Sequence, residues 1–261
     1  MGSGATSETA LFDAFVDGFR ERLHATWQPG QQIVVEPGVV ALIGRSPELL
    51  DGRVLVTDDR AVDFLTAHHH ELRARVVNVF SRAVQCAGVL TDAGGYRAEP
   101  ATAMVCSDLS AIPAVDLPDG LTLERVSDQP TGTEVALENA AAAALRSEPD
   151  AAPGQDLAGF VAYLRAIPHA HYLAATDAAG TVRATAAAAV FGRTTGVYFV
   201  NTDQEWRGRG VATAMTAAAL RSAVAAGAEL AFLDASALGR SIYLRLGFTP
   251  VSENTLFVRT G

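Results

Sequence analysis

The sequence contains no lysine, and its basic side chains are 20 arginines. Without lysine the chain has no side-chain amine for Schiff-base chemistry. It also lacks the Gly-Lys-Ser/Thr signature of phosphate-binding P-loops and the strand lysine of protein kinases. Three kinds of chemistry are therefore excluded, and a phosphate would have to be bound by backbone amides and arginine.

Cysteines and long apolar runs are scarce as well. Cys86 and Cys106 are the only two cysteines, too few for a disulfide framework or a structural zinc site. No uncharged run reaches the ~18 apolar residues of a membrane span. The segment 1–8 has neither the basic nor the apolar region of a signal peptide. We expect a soluble protein of the cytoplasm with no membrane partner.

Aromatic residues make up only 7% of the chain, whereas hydrophobic residues make up 49% and charged residues 19%. This balance is typical of a globular protein with a buried core and excludes disorder. The 29 acidic residues outnumber the arginines and give a net charge of −9. Such a charge opposes extended binding to nucleic-acid phosphates, so that we expect no nucleic-acid partner, and it slightly favours cationic partners.

The length of 261 residues corresponds to roughly 1.7 domains of about 150 residues each. The clearest break in the pattern is the segment 107–120, where two prolines and a closing Asp-Gly interrupt every periodicity. We expect a first domain over 1–110, a linker over 111–120 and a second domain over 121–261.

The second domain is predicted to be α+β with a mixed sheet. Apolar runs separated by Gly-containing turns predict an antiparallel meander, and the strand–helix–strand pattern after it predicts a crossover between locally parallel strands. The predicted strands are 121–126, 171–176, 181–191, 196–202, 230–235 and a final pair over 248–259, and the predicted helices are 133–147, 155–166, 209–226 and 237–246.

The segment richest in chemistry connects the strand 196–202 to the helix after it. It reads Arg207-Gly208-Arg209-Gly210, and glycines let backbone amides approach a ligand closely. The first N–H groups of a helix have no partner inside it and lie at the positive end of its dipole, so that this segment suits a phosphate or pyrophosphate. The alternative is a Gly-rich turn with solvated arginines.

A later segment leads from a strand end at Asp234 through a helix to Tyr243-x-x-x-Gly247-Phe248. Together with Arg207-x-x-Gly210-x-Ala212 it resembles the Gcn5-related N-acetyltransferase (GNAT) family, whose acetyl-CoA loop reads Gln/Arg-x-x-Gly-x-Gly/Ala and whose later helix ends in Tyr-x-x-x-Gly-Phe. The resemblance covers roughly 121–261. It implies the GNAT acyl-CoA N-acyltransferase fold, with acetyl-CoA as co-substrate.

The resemblance also implies roles for individual residues. Tyr243 would protonate the leaving thiolate, because a phenol with a pKa near 10 can donate to sulfur; the alternative is an aromatic core residue on an amphipathic helix. Backbone groups would bind pantetheine and orient the thioester carbonyl at Val200, Asn201 and Thr202. Amides would hold the pyrophosphate at Arg207, Gly208, Arg209, Gly210, Val211 and Ala212, and the CoA arm would lie along Ser236, Gly239 and Arg240.

The acceptor and its base are less clearly marked. Protein-acetylating members of the family can carry a base glutamate early on the fifth strand, where this chain has Ala231. Glu134 and Glu138 share one helix face and could bind a cationic amine; the alternative is that they are exposed acids that aid solubility. We expect the acceptor to be a small molecule or a peptide with a primary amine.

The histidines do not form a recognisable metal site. His68, His69 and His70 are consecutive, and on a helix their side chains would point about 100° apart and could not converge on one ion. His169 and His171 share one strand face but have no Cys or carboxylate motif nearby. We therefore expect no metal.

The first domain is predicted to be a degenerate GNAT-like copy of the second. Gly95-Tyr96 matches Gly247-Phe248 at an offset of 152 residues, but the copy has Thr91 at the position of Tyr243 and no glycine in 55–60, where the loop would fall. We expect no acetyl-CoA there; the alternative is a coincidental alternation of strands and helices. The domain would complete the sheet, line the acceptor cleft or form a homodimer contact. Its predicted helices are 8–26, 60–75 and 83–93, and its strands are 39–43, 53–56 and 76–80.

The function implied is an acetyl-CoA-dependent N-acetyltransferase. Transfer would be direct, within a ternary complex, because no candidate nucleophile stands beside a base. The alternative from another class is a CoA-binding regulatory or scaffold protein without turnover. A further alternative is an acyl chain other than acetyl.

Overall fold

The computed structural model describes residues 7–27, 29–44, 53–68, 76–126, 142, 161, 167 and 169–259. The chain divides into two compact units. The first comprises Met1–Val105, Asp234–Arg240 and Thr249–Gly261, and the second comprises Cys106–Leu233 and Ser241–Phe248. The division into domains predicted from the sequence stays a prediction.

Strands and helices alternate along most of the described chain. In order, the elements are α1 (Glu8–Ala25), β1 (Gln31–Glu36), β2 (Val39–Gly44), β3 (Arg53–Val56), α2 (Val62–His68), β4 (Val76–Phe80), α3 (Val84–Ala93), β5 (Tyr96–Cys106), β6 (Leu121–Arg125), β7 (Ala170–Asp177), β8 (Val182–Phe191), β9 (Thr194–Thr202), α4 (Val211–Ala225), β10 (Leu230–Ala235), α5 (Arg240–Arg245) and β11 (Thr249–Arg259). No helix among the described residues is long and apolar enough to cross a membrane.

In the first unit the strands form a mixed sheet in the order β1-β2-β3-β4-β11-β5. Only the β3–β4 pair is parallel among these described strands. Strand β11 lies between β4 and β5 and is paired on both edges, with a bulge between Pro250 and Ser252. The prediction of two strands over 248–259 is therefore wrong: both edges of one long strand are satisfied by other parts of the chain, and no internal hairpin is needed.

Helix α1 covers this sheet with the apolar stripe that its sequence predicts. Ser7 caps its start, and the hydroxyl accepts a hydrogen bond from Ala10 N–H at 3.2 Å. Phe15, Phe19 and Leu23 are buried, each side chain contributing about 1.5–3 kcal/mol through removal from water. The helix contacts β2, β3 and β11, and it therefore closes one side of the first unit's core.

A polar cluster lies within the first unit. Asp234 accepts hydrogen bonds from the side-chain amides of Asn78, at 2.9 Å, and Asn254, at 2.8 Å, and both asparagines are buried. Part of Asp234 is open to solvent, but desolvation by the surrounding protein raises the pKa of its carboxyl, while Arg22 and Arg53 lower it. The cluster ties Asp234 to β4 and β11.

In the second unit the strand order is β10-β9-β8-β7-β6, with antiparallel pairs from β6 to β9 and a parallel β9–β10 pair. The predicted meander and crossover are thus confirmed. Helix α4 contacts β7, β8 and β9. Its buried face and strand β8 are both rich in alanine, so that small side chains allow close approach of helix and sheet.

The remaining elements differ from the predictions in a few places. Strand β1 was not predicted, and α5 begins later than the predicted 237–246, because Ser236–Gly239 forms a turn instead of a helix. The segment 69–75, the predicted helices 133–147 and 155–166 except for positions 142 and 161, and with them Glu134 and Glu138, lie outside the described residues.

Candidate functional site

Strands β9 and β10 separate after a short parallel ladder. The pairing runs from Thr194–Leu230 to Gly196–Phe232 and stops there, although β9 continues to Thr202. Beyond Gly196, Val200 and Asn201 keep no ladder with β10, and both are half-buried. This arrangement leaves a fork between two parallel strands, with Gly196 at its apex.

A bulge turns β9 at the fork. Asn201 pairs with Thr185 and Tyr198 pairs with Ala187, so that Phe199 and Val200 together oppose Ala186. Phe199 adopts a φ of +54°, which is uncommon for an aromatic residue, and its carbonyl accepts a hydrogen bond from Thr185 Oγ1 at 2.9 Å. The bulge redirects the backbone of Val200–Thr202, the residues expected to bind pantetheine.

The loop after β9 brings bare backbone to the start of α4. Gly208 and Gly210 have φ values of +75° and +81°, and a Cβ built on either would meet no atom within 4 Å. Glycine is therefore required by the backbone conformation and not by crowding. Gly210 is the N-cap of α4, and no side chain caps the helix there. The amides of Val211 and Ala212 thus lie at an uncapped helix start, which suits an anion.

The two arginines of the loop are held differently. Arg207 donates from Nε to the carbonyl of Thr202 at 3.0 Å, which ties the loop to the end of β9. The guanidinium of Arg209 lies over the Trp206 ring, 5.0 Å from its centroid. Trp206 is only half-exposed, and its ring also approaches Gly120. Both positive charges therefore stay close to the glycine loop.

An ion-pair bridge that the sequence does not predict fixes the beginning of this loop. Arg183 donates from Nε to Asp177 at 2.7 Å and from Nη1 to Asp203 at 3.2 Å. The Arg183 bridge raises the pKa of the guanidinium and lowers that of Asp177, chiefly through their shared hydrogen bond. Asp203 then accepts the N–H of Trp206 at 2.9 Å, so that the bridge is continuous with the loop. The spacing of 20 residues between Arg183 and Asp203 gave no local signal.

The Tyr-x-x-x-Gly-Phe motif is the C-terminal cap of α5. Phe248 N–H donates to the carbonyl of Tyr243 at 3.0 Å and Gly247 N–H to that of Leu244 at 3.2 Å, with Gly247 at a φ of +89°. These bonds form a Schellman motif, and the Tyr243 and Phe248 rings make its apolar contact at 5.8 Å. The spacing in the sequence is therefore explained by how the helix ends.

Tyr243 is buried, with 8% of its surface exposed. Burial raises the pKa of its phenol to about 12. The phenol thus stays protonated across the physiological range and is available as a proton donor. The ring packs against Phe248, as the core interpretation predicts, and the catalytic role of the hydroxyl stays a prediction.

The turn before α5 is shaped by Ser236. The serine carbonyl accepts the amides of Gly239 and Arg240, both at 3.0 Å, and its hydroxyl accepts Gly239 N–H at 3.2 Å. Arg240 Nη2 lies 3.7 Å from Glu253. The structure thus gives these three residues a turn and an ion pair of their own, and their contact with CoA stays a prediction.

The described residues hold no cluster of three or more His, Cys, Asp or Glu that could bind a metal ion. Ala231 is fully buried on β10, opposite Thr195, so that the strand position of the family's glutamate carries no acid–base group. Burial raises the pKa of the Cys86 thiol to about 11 and also raises that of Cys106. Neither thiol is therefore an activated nucleophile.

A forked parallel pair, a bulged strand and a glycine loop that opens an uncapped helix form an architecture that suits an extended, phosphate-bearing ligand. Residues 178–251 match the family model described as Acetyltransferase (GNAT) domain. That segment is therefore similar to a GNAT acetyltransferase domain, and it contains the fork, the loop and Tyr243. No curated protein matched the chain in sequence.

Solved structures extend the likeness over nearly the whole chain. A GCN5-related N-acetyltransferase from Kribbella flavida is 20% identical, with 100% of this chain and 97% of that chain covered and a TM-score of 0.62. A GCN5-related N-acetyltransferase from Sphaerobacter thermophilus is 18% identical, with 88% of this chain and 81% of that chain covered and a TM-score of 0.59. A tandem GNAT protein from the clavulanic acid biosynthesis pathway is 14% identical, with 95% of this chain and 96% of that chain covered and a TM-score of 0.52. At these identities the similarity shows the fold, which is that of GNAT proteins.

Proposed function

We propose that this chain is an acetyl-CoA-dependent N-acetyltransferase that transfers the acetyl group directly to a primary amine. The observation that carries the proposal is the fork of β9 and β10, which leads at its open end into a glycine loop and an uncapped helix. This arrangement suits acetyl-CoA. Its anionic end meets backbone amides and two arginines, and its arm lies along a strand edge.

Binding is assigned to the backbone. The pyrophosphate is held by amides of the segment Arg207–Ala212, where Gly208 and Gly210 keep the chain free of side-chain obstruction. The pantetheine amides pair with the bulged segment Val200–Thr202, as an added strand would. Ser236, Gly239 and Arg240 lie along the CoA arm. Because backbone amides bind the anion, the site does not need a lysine to bind phosphate.

Acetyl-CoA supplies a thioester whose carbonyl carbon is attacked by the amine nitrogen as the carbon–sulfur bond breaks. Backbone N–H groups of Val200–Thr202 orient and polarise the thioester carbonyl. Tyr243 gives its phenolic proton to the departing sulfur and regains a proton from solvent. The surplus proton of the amine passes to water, since Ala231 cannot accept it. A covalent acetyl-enzyme is not part of the scheme, because both cysteines are buried with raised pKa values.

We further propose that the first 110 residues are a degenerate GNAT-like domain, making the chain a tandem protein with a linker at 111–120 and its active domain at 121–261. The element order β3-α2-β4-α3-β5 parallels β9-α4-β10-α5-β11, and each series begins with a parallel strand pair. The fold shared with a solved tandem GNAT protein supports the same organisation.

The N-terminal copy carries its own anions where a phosphate would bind. Asp58 accepts the N–H of Arg60 at 3.1 Å, and Asp59 accepts those of Gln85 and Cys86 at 2.8 and 3.2 Å. These carboxylates occupy backbone donors in the turn that leads into α2 and at the start of α3. The first domain would therefore not bind acetyl-CoA, and its contribution would be architectural.

The acceptor proposed is a cationic small molecule or peptide in the cytoplasm, consistent with a net charge of −9. Glu134 and Glu138 are the carboxylates proposed to bind it. A thiol-release assay with acetyl-CoA against amines, aminoglycosides, polyamines and N-terminal peptides tests the proposal. Turnover with at least one amine is expected, and it should be lost in Tyr243→Phe. Tight acetyl-CoA binding without turnover on any amine would instead favour a CoA-binding scaffold.

A further inference from the structure

The apex of the fork is covered by a tyrosine that folds back along its own strand. Gly196 is the last residue of β9 that pairs with β10, and Tyr198 lies two residues later, so that both face the same side of the sheet. A Cβ built on Gly196 would overlap the hydroxyl end of the Tyr198 phenol, with the hydroxyl oxygen nearest and Cζ and Cε2 next. The hydroxyl end of the phenol therefore fills the volume that the missing side chain of Gly196 leaves open.

The opposite face of the strand is filled as well. Thr195 is fully buried and donates from Oγ1 to the carbonyl of Ala189 at 3.0 Å, and Val197 is buried beside it. A chain that entered the apex would find packed side chains on that face. On the Gly196 face it would meet the Tyr198 ring, which also lies against Phe199 at a centroid distance of 6.1 Å.

The direction of the bound arm follows from the position of the loop. The pyrophosphate loop lies at the C-terminal end of β9, so that an arm that runs along the strand edge from it has its thioester end toward the fork. This step rests on the proposed function. The acyl group then points at Gly196, and each added methylene carries it nearer to the Tyr198 ring.

We propose that Tyr198 sets the acyl-chain specificity of the site by closing the apex over Gly196. A two-carbon acetyl group ends before the ring, whereas a longer chain must displace a half-buried phenol from a packed position. Gly196 has no side chain, and Tyr198 occupies the space that this leaves. Shortening the tyrosine opens a groove along bare backbone that accepts a longer acyl chain.

The test is the affinity for acetyl-CoA and hexanoyl-CoA, measured by titration calorimetry in the absence of any amine. The wild type should bind hexanoyl-CoA about tenfold more weakly than acetyl-CoA, as expected for overpacking. Tyr198→Ala should shift this ratio about tenfold toward hexanoyl-CoA. Tyr198→Val, better suited to a strand, should shift it in the same direction. Tyr198→Phe, which keeps the ring and loses only the hydroxyl, should shift the ratio less than Tyr198→Ala does.

Tyr172→Ala is the matched control, since Tyr172 is also a half-buried strand tyrosine of the second unit and should leave the ratio unchanged. Equal affinity of the wild type for the two ligands would overturn the proposal, as would unaltered ratios in both Tyr198→Ala and Tyr198→Val. Either result would leave acetyl-CoA binding, and hence the proposed function, intact. A wild type that binds neither ligand would overturn both.

Discussion

Arg183 binds Asp203 through both its main chain and its side chain. The carbonyl of Arg183 accepts the Asp203 N–H at 2.8 Å, and its Nη1 donates to the Asp203 carboxylate at 3.2 Å. Asp203 is the first residue after β9, where the glycine loop begins. The pair therefore defines the path by which the chain leaves the bulged strand and reaches the start of α4.

Replacing Arg183 by methionine should weaken acetyl-CoA binding. The loop would lose the side-chain anchor of Asp203 while its backbone bond remains, and we expect a roughly three- to tenfold rise in the dissociation constant, typical of a lost exposed charged hydrogen bond. The turnover number at saturating acetyl-CoA should stay near that of the wild type. Calorimetry and steady-state kinetics measure the two effects.

Arg193→Met provides the control, because Arg193 forms its ion pair with Glu229 at the beginning of β9, away from the loop. It should not change the affinity for acetyl-CoA. Equal effects of the two substitutions would show that Arg183 has no special part in holding the loop.

Replacing Gly210 by alanine should impair both stability and binding. A φ of +81° is strained for an L-residue, and we expect a loss of about 1–2 kcal/mol in the free energy of unfolding. The N-cap also presents the first amides of α4, so that relaxation of the strain should misplace them and weaken acetyl-CoA binding. Urea denaturation and calorimetry measure the two quantities.

Gly180→Ala separates these two effects. Gly180 has a similar φ of +77° with open space around it, in the turn between β7 and β8. The Gly180→Ala variant should lose a similar amount of stability, yet it should bind acetyl-CoA as the wild type does. If both variants bind like the wild type, the amides at Gly210 do not contact the pyrophosphate.

Replacing Tyr243 by phenylalanine should reduce the turnover number by about 100-fold or more, the usual contribution of a general acid. Acetyl-CoA affinity and melting temperature should change little, because the ring and its contact with Phe248 are retained. Because burial raises the pKa of the phenol to about 12, the wild-type pH–rate profile should show no fall near pH 10, where an exposed tyrosine loses its proton. Undiminished turnover in Tyr243→Phe would remove the phenol from the mechanism.

Asp58 should make the stability of the protein sensitive to acid. Hydrogen bonds from Arg60 lower the pKa of Asp58 from 3.8 to about 2, so that the folded state holds fewer protons than the unfolded state within this window. The stabilisation is present above pH 4 and is lost as the pH falls toward 2. The difference in unfolding free energy between the wild type and Asp58→Asn should therefore shrink over that range. Arg60→Met, which keeps the backbone hydrogen bond to Asp58, should remove most of this pH dependence. A difference between the wild type and Asp58→Asn that is constant from pH 5 to 2 would contradict the assignment.

Local chemistry accounts for what the sequence predicted well. The Tyr243–Phe248 spacing follows from the way the helix is capped, and Gly208 and Gly210 stand where φ is positive. Each motif is therefore determined by a few neighbouring residues and can be recognised in the sequence. Apolar runs bounded by turns likewise predicted most strands, and an alanine-rich segment predicted α4, within a few positions.

Long-range pairing accounts for what the sequence missed. The insertion of β11 between β4 and β5 joins residues far apart in the chain. The Arg183 bridge and the contact of Asp234 with Asn78 do the same for side chains. Tyr198 folds over Gly196, only two positions away. Its proposed role depends on the end of the β9–β10 ladder at Gly196, which is a long-range pairing. None of these follows from periodicity or a motif.

Titration calorimetry of the full chain with acetyl-CoA tests the central claim most directly. We expect saturable binding of one acetyl-CoA per chain. The affinity should be lower in Gly210→Ala and unchanged in Gly180→Ala and Tyr243→Phe. Absence of binding up to millimolar acetyl-CoA would contradict it.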